Sequence, residues 1–194
     1  MVYLDYNASA PMHEEVIDAM TDALRAVGNP SSVHEYGRAA RRLVEEARAE
    51  VAALVGAEPE EIVFTSGGTE ANNMALAAGE GRRGLASAIE HDSVLNAAPA
   101  AARIAVGGDG VLDLDELREL LASDEAPALV SVMLANNETG VIQPVADAAA
   151  AAKEVGALVY SDAVQGPGRI AIDMAALGVD MLGLSAHKLG GPKG

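Results

Sequence analysis

The chain has 194 residues, half of them apolar, which is enough for one sizeable domain with its own core. Its formal net charge of -16 argues against a nucleic-acid or anionic-membrane partner, because both attract basic surface. Cysteine is absent, which excludes a disulfide, a thiolate metal site or a thiol nucleophile within these residues, and no metal site is expected. No apolar run approaches the roughly 20 residues needed to span a bilayer. Met1–Tyr6 lacks the charged and apolar regions of a secretion signal, so a soluble, cytoplasmic protein is the expectation.

The first 55 or so residues read as helical. Val16, Ile17, Met20 and Leu24 recur at helical spacing within Met12–Val27. Gly28-Asn29-Pro30-Ser31-Ser32 is a loop by its turn chemistry. Leu43, Val44, Ala47, Val51 and Leu54 repeat the helical pattern within Tyr36–Val55, and Gly56 ends it. From Glu61 the pattern changes to short apolar runs alternating with helical stretches. The runs are Ile62–Thr65, Leu85–Ile89, Arg103–Val106, Leu129–Leu134, Ala157–Ser161 and Met181–Ser185. The helical stretches are Thr69–Ala78, Ser93–Ala102, Asp113–Ala122 and Val145–Val155. Such alternation predicts an α/β fold with a largely parallel sheet between helices. Ligands of these sheets sit beyond the carboxyl ends of the strands.

Five polar clusters fall there. Thr65-Ser66-Gly67-Gly68-Thr69-Glu70 joins a strand to a helix, so its glycines admit a close ligand and its helix start suits a phosphate. It lacks the Gly-Lys-Ser/Thr ending of a nucleotide loop, which counts against a nucleotide-binding domain. In Ile89-Glu90-His91-Asp92-Ser93 the histidine suits stacking on an aromatic cofactor or proton transfer. Ala135-Asn136-Asn137-Glu138-Thr139-Gly140 offers directed amides. Ser161-Asp162-Ala163-Val164-Gln165 puts a carboxylate at a buried strand end, where it needs a partner such as a pyridinium N–H. Ser185-Ala186-His187-Lys188 puts a lysine at a strand end, where a loss of its proton would permit a Schiff base with an aldehyde. Read alone, each has an ordinary alternative: a Thr69 cap, a surface histidine, a polar turn, a capping aspartate, a surface lysine. Read together, they supply the parts that pyridoxal-phosphate chemistry requires: phosphate cup, ring-stacking group, carboxylate for the pyridine nitrogen, and lysine.

In this order, Tyr3-Leu4-Asp5-Tyr6-Asn7-Ala8, Gly28-Asn29-Pro30-Ser31-Ser32, Phe64-Thr65-Ser66-Gly67-Gly68-Thr69-Glu70, Glu90-His91, Ala135-Asn136-Asn137-Glu138-Thr139-Gly140 and Ser185-Ala186-His187-Lys188 resemble motifs of the cysteine desulfurases. These are class V members of the fold-type I pyridoxal-phosphate enzymes. The resemblance implies a mainly parallel (mixed) seven-stranded-type sheet sandwiched by helices, the large domain of a pyridoxal-phosphate-dependent transferase. It divides the chain into an N-terminal active-site segment (1–12), N-terminal helices (13–56) and the cofactor-binding domain (57–194). Lys188 then matches the Schiff-base lysine, and His91 the histidine that stacks on the ring and moves protons. Asp162 matches the partner of the pyridine nitrogen, and Gln165 the partner of the phenolic oxygen. Gly68, Thr69, Ser185 and His187 match phosphate positions. Asn137 matches an amide beside cofactor and substrate, and Asn7 lies in a segment approaching the substrate.

The implied reaction takes sulfur from L-cysteine, leaves L-alanine, and hands the sulfur to an acceptor or an iron–sulfur scaffold protein in cluster assembly or thiolation. A homodimer is implied for the complete protein. Relatives of this kind are about twice as long, so the nucleophilic cysteine, a substrate-binding arginine and a small C-terminal domain are expected outside this sequence. The alternatives are an inactive cofactor-binding fragment and another class V enzyme, a selenocysteine lyase or an aminotransferase.

Overall fold

A computed structural model describes residues 2–193. Met1, in the expected N-terminal segment (1–12), and Gly194, the last residue of the expected cofactor-binding domain (57–194), lie outside them. The chain forms two compact units. One contains the residues up to Phe64 together with those from Ala186 onward; the other is Thr65–Ser185.

The first unit is built on α1 (Glu14–Arg25) and α2 (Glu35–Val55). Both are amphipathic, as their apolar spacing predicts. The His34 ring accepts from the Gly37 N–H at the start of α2, and Gly56 ends it in the left-handed region at φ 69°. The run Ile62–Thr65, expected as a strand, pairs with no strand among the described residues. The Arg48 side chain takes its place as a partner: it donates to the Ile62 carbonyl, and its guanidinium lies 5.1 Å from the centre of the Phe64 ring. A short single-turn helix spans Ala186–Lys188. Two backbone bonds, from Ala10 N–H to the His187 carbonyl (2.9 Å) and from His13 N–H to the Gly190 carbonyl (3.1 Å), tie the N-terminal segment to this lysine-bearing turn.

The second unit runs α3 (Gly68–Ala77), β1 (Arg83–Ser87), α4 (Asp92–Leu95), β2 (Ala102–Ile104), α5 (Leu114–Ala122), β3 (Ala128–Ser131), α6 (Val145–Glu154), β4 (Leu158–Asp162), α7 (Met174–Leu177) and β5 (Met181–Gly183). Its sheet is wholly parallel, in the order β2-β1-β3-β4-β5. The described sheet has five strands, not seven, and no antiparallel member; the apolar runs of this unit supply no more. The helix expected over Ser93–Ala102 stops at Leu95. Pro99 lacks the amide hydrogen that a continuing helix needs and disfavours helical backbone before it, which the alanines around it cannot offset.

Side-chain parity on β4 sorts the layers. Leu158 and Tyr160 pack with Val94 of α4 and with Ala75 and Leu76 of α3. Val159 and Ser161 therefore face the opposite side. Asp162, two residues beyond Tyr160, returns to the α3 side at the carboxyl end of the strand. Gly183, paired with Asp162 in the sheet, is needed for room: a β-carbon there would lie 2.2 Å from the Tyr160 hydroxyl and 3.1 Å from Asn72 Oδ1. Tyr160 is 1% exposed and cannot retreat. Gly183→Ala is expected to cost about 3 kcal/mol in urea unfolding; a midpoint within experimental scatter of the parent would show that the cluster yields.

Candidate active site

The strand order reverses between β1 and β3, which makes their carboxyl ends the topological switch point. Glu90, on the loop after β1, bridges it. Its Oε1 accepts from Met133 N–H at 2.5 Å, and the Ser131 hydroxyl lies 3.4 Å from Oε2. The side chain is buried, and burial, with the negative charge of Asp162 second, pushes its carboxyl up to about 8. At neutral pH Glu90 therefore carries a proton.

Asp162 is buried at the end of β4. Its Oδ1 accepts from Val164 N–H at 3.0 Å and its Oδ2 from Asn72 Nδ2 at 2.8 Å. A carboxylate has about four lone-pair directions, so these two donors leave capacity for another N–H. Asn72 is fully buried on α3. Its Oδ1 receives the Tyr160 hydroxyl, and its Nδ2 also donates to Ser93 Oγ at 2.7 Å. Burial and the nearby carboxylates push the Tyr160 phenol upward, so it stays a donor.

His91 precedes α4, and its Nδ1 accepts from Ser93 N–H at 3.1 Å with Ser93 Oγ 2.7 Å away. Because the amide can only donate, the neutral ring carries its proton on Nε2. Gln165 is buried in the turn after β4, with Oε1 accepting from Arg169 at 2.7 Å. Arginine has no acceptor, so this contact points the Gln165 NH₂ away from Arg169.

The start of α3 and the end of β5 converge. A β-carbon on Gly68 would sit 3.2 Å from Val164 Cγ2, 3.6 Å from Ser185 Cβ and 3.9 Å from Ser185 Oγ. The bare Gly67-Gly68 backbone and the Ser185 hydroxyl thus border one cradle at the N-terminus of the helix, the arrangement that binds phosphate. Gly67 caps the helix with no side-chain bond, and Thr69 is exposed beside it. Outside this cradle, Glu70 accepts from Ser66 N–H at 2.5 Å, which lowers its carboxyl. In the loop after β3, Asn136 uses Oδ1 to accept from Glu138 N–H and Thr139 N–H and so shapes the turn, leaving Asn137 half-buried next to it.

The second unit therefore gathers Gly68, Thr69, His91, Asn137, Asp162, Gln165 and Ser185 on the strand-end side of one sheet. Lys188, His187 and Asn7 belong to the other unit. There Lys188 ends the single-turn helix, half-buried. The His187 ring has Nδ1 3.3 Å from Ser9 Oγ, and desolvation, with the charges of Lys188 and Lys193, lowers its tendency to take up a second proton. Asn7 lies exposed in a turn.

The family model for aminotransferase class-V matches residues 2–194. The chain belongs to this family. Its members of the cysteine desulfurase type depend on pyridoxal 5'-phosphate. Among curated relatives, the chain is 42% identical to cysteine desulfurase IscS of Dictyoglomus turgidum, covering all of this chain and 52% of that one. It is 40% identical to the IscS-like cysteine desulfurase of Mycobacterium tuberculosis, covering all of this chain and 54% of that one. Among solved structures, the NifS-like protein of Rickettsia africae superposes with a TM-score of 0.95 at 40% identity, over all of this chain and 56% of that one. SspA in complex with cysteine superposes with a TM-score of 0.91 at 32% identity, over all of this chain and 59% of that one. The class V chain thus spans about half the length of the curated relatives it matches.

Sequence reasoning did not single out Asn72, Ser93, Tyr160 or Arg169, and it read Glu90 only as a neighbour of His91. One signal was available for Asn72: it lies three residues after Thr69 on a helix, hence on the same face. Tyr160 reads as an ordinary strand aromatic and gives no such signal.

Proposed function

We propose that the chain is the cofactor-binding part of a cysteine desulfurase, acting on L-cysteine to release L-alanine and pass sulfur to an acceptor or iron–sulfur scaffold protein, as a homodimer when complete. The observation that carries this reading is the buried Asp162 carboxylate, held by two donors with acceptor capacity to spare, in the same unit as the Gly68–Ser185 cradle. That pair matches the two ends of pyridoxal phosphate, a pyridine nitrogen and a phosphate. The cofactor, when bound, supplies an aldehyde for amines and a ring that accepts the electrons of a broken bond.

Asp162 would hold the proton on the pyridine nitrogen. The backbone at Gly68 and Thr69, with Ser185 and His187, would bind phosphate. The NH₂ of Gln165 would donate to the phenolic oxygen, and His91 would cover the ring and move protons through Nε2. Lys188 follows Ser185 by three positions, within about 11 Å along an extended chain, and its amine would meet the aldehyde. Asn137 and Asn7 would contact the substrate. The thiol that receives sulfur must come from outside this sequence, which has no cysteine.

The test is site-specific labelling. The 194-residue chain is incubated with pyridoxal phosphate, reduced with borohydride and digested. The adduct is expected on the Lys188 peptide, and Lys188→Ala is expected to lose it. Lys153 and Lys193, the other two lysines, serve as internal controls; equal labelling of all three, or none, overturns the reading.

A further inference from the structure

We propose that Asn72 is a positioning residue that locks the Asp162 carboxylate and the His91 imidazole into one hydrogen-bonded unit. The inference rests on the reading above for its meaning, since those two groups would hold the edge and the face of the same ring. It rests on the structure for its mechanics.

The directions of the bonds follow from one fact. A carboxylate accepts and does not donate, so the amide end of Asn72 that meets Asp162 at 2.8 Å must be Nδ2. Oδ1 then faces Tyr160, whose hydroxyl must donate to it. The second hydrogen on Nδ2 goes to Ser93 Oγ at 2.7 Å. Ser93 is left with its own hydrogen to give to His91 Nδ1 at 2.7 Å, the nitrogen that its backbone N–H also approaches at 3.1 Å. Each donor of the amide is used, and Asn72 is fully buried, so no water competes for them.

Only asparagine meets this specification at this reach. Leucine keeps the volume and removes all three bonds. Aspartate offers no second hydrogen and sets another carboxyl against Asp162. The bare Gly183 opposite leaves space for the Tyr160 hydroxyl and Asn72 Oδ1 to meet. Asn72 stands on α3 and its partners on α4 and β4, so the amide ties three elements together at the point where the proposed ring would lie.

The test uses the 194-residue chain labelled with ¹⁵N-histidine, first without cofactor. His91 ring resonances are assigned by their loss in His91→Gln. Asp162→Asn is expected to shift these resonances, transmitted through Asn72 and Ser93. The same substitution made on Asn72→Leu is expected to produce no further shift, and Ser93→Ala is expected to break the connection in the same way. In the presence of pyridoxal phosphate, Asn72→Leu is expected to weaken binding about tenfold, the scale of one charge-assisted hydrogen bond.

A His91 signal indifferent to Asp162→Asn in a folded chain overturns the coupling, as does a loss of affinity in Asn72→Leu without any change at His91. If Asn72→Leu does not fold, Asp162→Asn with and without Ser93→Ala decides the matter. A wild-type chain that shows the coupling but binds no pyridoxal phosphate refutes the functional reading and leaves the network standing. A chain that binds the cofactor without the coupling does the reverse.

Discussion

Glu90→Gln is expected to abolish a fall in stability that the parent chain suffers between about pH 4.5 and pH 8. The folded carboxyl is raised to about 8 from an ordinary 4.5. Below both values the group is protonated in the folded and the unfolded chain and contributes nothing. Between them the unfolded chain releases the proton and the folded chain keeps it, so unfolding is favoured by about 1.4 kcal/mol for each pH unit. Above about 8 both forms are ionised and the loss levels off, at a total on the order of 5 kcal/mol. Glutamine keeps the acceptor for Met133 N–H and has no proton to lose. Urea unfolding of both proteins across this range should give difference curves that open steadily with rising pH. Parallel curves would mean that Glu90 finds solvent or a cation when it ionises.

Asp162→Asn is expected to damage stability and cofactor binding together. Val164 N–H and Asn72 Nδ2 each donate to a separate oxygen of the carboxylate. An amide has one oxygen, so one donor loses its acceptor and meets an NH₂ group instead. Leaving a buried donor unmet costs about 1–3 kcal/mol, and the loss should be clear at about pH 5, where Glu90 is neutral in either protein. Binding of pyridoxal phosphate should fall about tenfold to a hundredfold, because the carboxylate proposed to face the pyridine nitrogen is gone. Glu90 supplies a cross-check. The charge of Asp162 is one cause of its raised carboxyl, so its titration in Asp162→Asn should move down. Unchanged affinity in a folded Asp162→Asn chain would remove the carboxylate from the proposed site.

These two carboxyl groups divide the work through their surroundings. Glu90 sits at the β1–β3 switch point, where burial, with the negative charge of Asp162 second, holds it neutral. Asp162 sits among two good donors, which suit a charge.

Helix α2 was legible because local rules agree: apolar spacing for 21 residues and a glycine at the left-handed stop. The parallel sheet was legible because its runs alternate with helical stretches. The helix after His91 was misread because five alanines around it outweighed one proline in a reading by composition, while in the backbone a single missing N–H decides. The run at Ile62–Thr65 was misread because apolar character does not provide a neighbouring strand, and Arg48 satisfies the carbonyl instead.

The sequence by itself determined the chemistry available: which strand ends carry His91, Asp162, Ser185 and Lys188, and that no thiol is present. Those facts are local, written in residue type and in distance along the chain. Only the tertiary structure decided which groups act as a unit. Asn72 meets Asp162 across 90 positions of sequence and Tyr160 across 88, and Glu90 reaches Met133 across 43. Hydrogen-bond direction and burial arise from such meetings, because a donor's partner and a carboxyl's proton depend on what the fold sets beside them.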